Sequence, residues 1–100
     1  MHSMFVDVIN TFESLLNNSS FQYQLLESHY MPYAFGSGFN AYKLKQQYLK
    51  IVWDGRDHIV SVYSNHKHQN YPVSKWELKF EGNINTFKQL DIKGIVDNVS

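Results

Sequence analysis

The chain has 100 residues, nine basic and nine acidic side chains, 43% apolar residues and no cysteine. Cancelling charge leaves no long-range field to hold a polyanion, so neither nucleic acid nor an anionic membrane is expected as a partner. The missing cysteines exclude disulfides, thiolate chemistry and Cys-ligated zinc, and they fit a reducing, cytoplasmic setting.

That apolar fraction, with 18% charged residues, belongs to globular proteins rather than disordered ones. Residues 1–100 read as one domain, with Met1-His2-Ser3 a flexible or appended stretch ahead of Met4. No run approaches the roughly 18 apolar residues of a membrane span. The N-terminus lacks the basic start and apolar run of a signal peptide. Seven Phe, seven Tyr and two Trp supply material for a core, since each large ring buries on the order of 150–250 Å².

The first periodic segment runs over residues 4–16. Phe5, Ile9, Phe12 and Leu16 recur at helical spacing and form one stripe, and Asn17-Asn18-Ser19-Ser20 is a stop. From Phe21 the period becomes two: Phe21, Tyr23 and Leu25 alternate with glutamines, as a strand with one wet face does. Residues 29–38 then read as a loop, because Pro32, Gly36 and Gly38 interrupt it, although it carries Tyr30, Tyr33 and Phe35.

The following strands can be registered against each other. Asp54-Gly55-Arg56-Asp57 is a hairpin signal. A two-residue turn at Gly55-Arg56 pairs Trp53 with His58, Ile51 with Val60 and Leu49 with Val62. A similar turn at Gln46-Gln47 pairs Leu44 with Leu49 and Tyr42 with Ile51. Gln-Gln is poor turn chemistry, and a loop longer by two residues would leave the faces unchanged. Residues 75–81 alternate strictly, placing Trp76, Leu78 and Phe80 together on the core face. Beyond Gly82-Asn83, Thr86 with Gln89 resembles a capping box, and Ile92, Ile95, Val96 and Val99 fit a helical stripe. A sixth strand over residues 90–96 is the alternative. The expected fold is α+β: an N-terminal helix, an antiparallel five-stranded meander and a short C-terminal helix, with the helices on one sheet face.

That register leaves Phe39, Ala41, Tyr48, Val52, Ile59 and Tyr63 on the other face, with Tyr48 opposite Tyr63 and Val52 opposite Ile59. Lys43, Lys50 and Ser61 are interspersed. Such a patch marks a partner surface, is covered by the 29–38 loop, or reflects the ordinary strand preference of these residues. Phe39, Tyr48, Val52, Ile59 and Tyr63 are the candidate interface. A pocket between the sheet and the 29–38 loop, with Tyr30, Tyr33, Phe35 and His58, is the alternative site.

Chemical motifs are weak. His66-Lys67-His68 offers two imidazoles, half a zinc site, so no metal is expected. Asp54, Arg56 and Asp57 beside His58 suit a turn at least as well as acid–base work. No Gly-x-Ser-x-Gly elbow exists, and Gly36-Ser37-Gly38-Phe39-Asn40-Ala41 fails the dinucleotide pattern at its third glycine. No cofactor is expected. The residues point to a non-catalytic protein-binding domain, self-associating or acting on another protein as small immunity-type inhibitors and adaptors do by analogy of architecture. The alternative is a small-molecule binder or modest enzyme using the loop pocket.

Overall fold

A computed structural model describes residues 3–96. The element order is α1 (Met4–Asn18), β1 (Gln24–Met31), β2 (Ser37–Lys43), β3 (Tyr48–Asp54), β4 (Ile59–Asn65), β5 (Glu77–Gly82) and α2 (Ile84–Lys88). The strands form one antiparallel sheet in the order β1-β2-β3-β4-β5, a meander with α1 and α2 against it. The α+β architecture expected from periodicity is the one found.

Helix α1 buries Phe5, Val8, Phe12 and Leu16. The stripe is rotated slightly from the expected one: Val8 is fully buried and Ile9 only half-buried. Opposite it lie Tyr42, Leu49, Ile51, Trp53, Val60 and Val62, which belong to the same buried cluster. Close approach of α1 depends on Gly38, where a β-carbon would come within 2.8 Å of the Phe5 ring.

The β3–β4 loop is two residues longer than the hairpin signal suggested, and the β2–β3 loop takes the longer of its two readings. Trp53 pairs with Val60 rather than His58, Ile51 with Val62, and Tyr42 with Leu49. The Asp54 carboxylate accepts hydrogen bonds from the backbone N–H groups of Arg56 and Asp57 (3.0 and 3.2 Å), which holds the 55–58 turn. The Leu44 N–H donates to the Gln47 carbonyl (2.8 Å) and closes the other loop. A slip of two conserves side-chain direction, so the core faces of β2, β3 and β4 are as expected.

In β5 the faces are not as expected. Val62 pairs with Phe80, but Tyr63 pairs with Leu78, so Lys79 is an extra residue in a bulge. One extra residue inverts the alternation on its far side. Phe80 therefore packs against the core, 5.8 Å from the Phe87 ring, while Leu78 and Trp76 turn to the opposite face.

Residues 29–31 and 37–38 are strand rather than loop, leaving a tight turn at 32–36. This turn does not cover the sheet. It seats against the 55–58 loop: the Gly55 N–H donates to Ser37 Oγ (2.9 Å), and the Arg56 guanidinium lies 5.8 Å from the Phe35 ring centroid. A β-carbon on Gly55 would run into the Phe35 carbonyl oxygen. Gly55→Ala is accordingly expected to destabilise the fold by about 1–3 kcal/mol, the cost of forcing an atom into a packed contact. Urea unfolding reads this directly, and an unchanged or raised midpoint would contradict the loop–loop packing.

The C-terminal region starts its helix one turn earlier than the Thr86 signal suggested. Asn83 Oδ1 accepts from the Thr86 N–H (2.8 Å) and caps α2. A separate 3₁₀ turn, Ile92–Gly94, follows, with the Asp91 side chain accepting from the Lys93 N–H. No sixth strand forms among the described residues. Ile92, Ile95 and Val96 are buried as the apolar stripe implied, and Val99 lies outside the described residues.

Candidate binding surface

Consider the sheet face away from the helices. The register brings Phe39, Tyr48, Val52, Ile59 and Tyr63 to this face, each half-buried. They are not paired as expected: Tyr48 lies opposite Asn65, Lys50 opposite Tyr63, and Val52 opposite Ser61 and Phe39. The longer β3–β4 loop moves the β4 partners by two positions, and the longer β2–β3 loop sets Phe39 opposite Val52.

The centre of the face is built on Lys50. Its Nζ lies 5.2 Å from the Phe39 ring centroid and 4.6 Å from that of Trp76, so the ammonium is held between two π-faces. His29 stacks on the other side of this row, 4.7 Å from Phe39. Trp76 is 7% exposed, and its Nε1–H donates to the Tyr71 carbonyl (2.8 Å). Beside Tyr63, Leu78 stands 47% exposed. Trp76 and Leu78 belong to this surface although the sequence pattern assigned them to the core, and nothing in a strict alternation signals the bulge that moves them.

The alternative site is only partly assembled. Tyr30, Phe35 and His58 line a depression of about 200 Å³ together with Trp53 and Met4. Tyr30 stacks on Phe5, and His58, in a left-handed backbone conformation (φ 55°), stacks on Trp53. Tyr33 is 90% exposed and is not among the lining residues.

Among the described residues no three His, Asp or Glu side chains gather as metal ligands. His66 Nδ1 lies 2.9 Å from the Gln46 carbonyl, to which it donates, and His68 sits edge-on to Tyr71. Zinc or nickel added to the protein is expected to give at most weak, millimolar-range NMR broadening at these two residues. A stoichiometric micromolar complex would contradict that.

A polar contact ties α1 to the sheet. The Tyr42 hydroxyl donates to Glu13 (2.7 Å) and accepts from Asn40 Nδ2 (3.0 Å). Burial first, and then the bond to Glu13, hold the Tyr42 phenol well above the usual range of tyrosine. The folded protein keeps this proton while the unfolded chain releases it near pH ~10. The associated stability is complete below that pH and is lost progressively as pH rises above it. Tyr42→Phe is expected to flatten this alkaline loss and to cost about 1–3 kcal/mol at neutral pH, since it leaves Glu13 and Asn40 without their partner. Urea midpoints for both proteins across that range test it. Parallel curves would contradict the assignment.

No helix among the described residues is long and apolar enough to cross a membrane. The chain matches no family model, no curated protein and no solved structure. A functional reading therefore rests on the surface itself.

Proposed function

We propose that the chain is a non-catalytic protein-binding domain that works through the sheet face opposite its helices, with a second copy of the chain as partner. The observation that carries this reading is the row His29–Phe39–Lys50–Trp76, flanked by Tyr63 and the exposed Leu78. Aromatic rings with a polar margin are the chemistry of interface centres, and the Lys50 ammonium at this one is taken up by two ring faces. The same face carries both signs of charge, Lys43 and Lys50 with Glu27, Asp54 and Glu81, by their register positions. An isologous contact needs such self-complementarity. With a net charge of zero, two copies approach without long-range repulsion. The depression at Tyr30, Phe35 and His58 supports a ligand site less well, because about 200 Å³ falls below the usual range of small-molecule pockets, ~300–1,000 Å³.

Sedimentation equilibrium from the low micromolar to the millimolar range tests the reading. The average mass is expected to rise from monomer towards dimer, with amide shifts on dilution concentrated at Phe39, Lys50, Tyr63 and Leu78. A monomer throughout that range would remove the second copy as the partner.

A further inference from the structure

A larger cleft lies at the end of the sheet where α1 gives way to β1. Ser20 takes a left-handed conformation (φ 63°), and the Phe21 N–H returns to the Leu16 carbonyl (3.0 Å). Residues 20–24 thereby form one side of a cleft of about 660 Å³ whose other side is the β2–β3 loop at residues 43–47. Its size falls in the range of small-molecule sites, ~300–1,000 Å³.

The lining has a definite chemistry. Leu44 and Val96 are buried and apolar, and Phe21 and Tyr23 contribute half-buried rings. The Tyr23 ring is fixed by an edge contact with Tyr42 at 5.6 Å. Lys43 and Lys45 are exposed, and the remaining lining residues are glutamines and one serine. Among the described residues no acidic side chain lines the cleft, and neither lysine is ion-paired with another described residue.

We infer that this cleft binds a small organic anion with a flat apolar body, of which an aryl carboxylate is the simplest case. The carboxylate would receive charge-assisted hydrogen bonds from the two ammonium groups, and the ring would pack on Phe21, Tyr23, Leu44 and Val96. A cationic ligand meets two like charges here. A neutral isostere keeps the packing but loses the ionic hydrogen bonds. This inference does not require a dimer; it shares Lys43 with the proposed sheet-face interface, whereas Lys45 belongs to the β2–β3 loop and not to that face.

The test is an amide-resolved NMR titration of the full chain with benzoate, 3-phenylpropanoate and indole-3-acetate, each beside its neutral amide. At least one carboxylate is expected to give saturable shifts at residues 21–24 and 43–47, binding about tenfold or more tightly than its amide. Lys43→Gln with Lys45→Gln should weaken it by about tenfold or more, while amides outside the cleft and the Lys43 neighbourhood of the sheet face stay in place. Lys45→Gln alone gives the same reading, with a smaller loss, should the double variant lose its fold. Failure of all three carboxylates to saturate, equal binding of carboxylate and amide, shifts elsewhere on the sheet, or binding indifferent to the lysines would each overturn the inference.

Discussion

Trp53→Ala is expected to remove about 3–5 kcal/mol of stability, the usual cost of deleting a buried large ring. Trp53 is 2% exposed and sits on the helix-facing side of β3, opposite Val60. Its removal opens a cavity between α1 and the sheet and also takes the stacking surface from His58. Whole domains are stable by only about 5–15 kcal/mol, so this variant stands close to unfolding at room temperature. The corresponding change at Trp76 makes the informative comparison. Trp76 lies on the other face, against Lys50 and outside the main buried cluster, so its loss leaves the α1 contact untouched. Urea unfolding of both variants should show Trp53→Ala as the more damaging by a clear margin. Equal losses, or a larger one at Trp76, would contradict the bulge at Lys79.

Phe12→Ala should cost a similar amount, about 3–5 kcal/mol, by a different route. Phe12 is fully buried and lies 5.4 Å from Tyr42 and 6.2 Å from Phe87. Phe87 in turn packs on Phe80. One ring thus joins α1, the sheet and α2, and its loss should loosen the C-terminal region before the strands. Hydrogen exchange in Phe12→Ala is expected to rise most at residues 84–96. Uniform loss of protection across β2–β4 and α2 would show that α2 does not depend on this ring.

Much of this architecture was legible because two periods, 3.6 and 2, divide the chain cleanly. Phe5, Phe12 and Leu16 announce α1, and the apolar residues at 49, 51, 53, 60 and 62 announce a core face. That face holds in either register because each loop differs from a two-residue turn by two, and side-chain direction repeats every two residues. The bulge at Lys79 is another matter. Residues 75–81 have the same alternating sequence whether the strand is regular or bulged, so Trp76 and Leu78 gave no sign of belonging to the other face. For the same reason the Phe39–Lys50–Trp76 row was hidden, although Phe39 was legible as a surface residue. The early start of α2 was missed because Asn83 beside Gly82 reads as a strand end as readily as a helix cap.

The central claim is that the face bearing Phe39, Lys50, Tyr63 and Leu78 joins two copies of the chain. Its most direct test is the double variant Tyr63→Ser with Leu78→Ser, read by oligomeric mass and thermal melting on the same sample. These two residues face each other across β4 and β5, away from the helix-covered core. Losing their cross-strand contact should cost only about 0.2–1 kcal/mol and leave the melting temperature of the monomer nearly unchanged. Association should fall much further, since buried anchors at an interface commonly contribute about 2 kcal/mol or more, some thirtyfold in affinity. A variant that melts close to the wild-type monomer but no longer dimerises is the predicted result. A variant that melts many degrees lower while its mass distribution matches the wild type would contradict the claim, and would make these side chains part of the fold rather than of an interface.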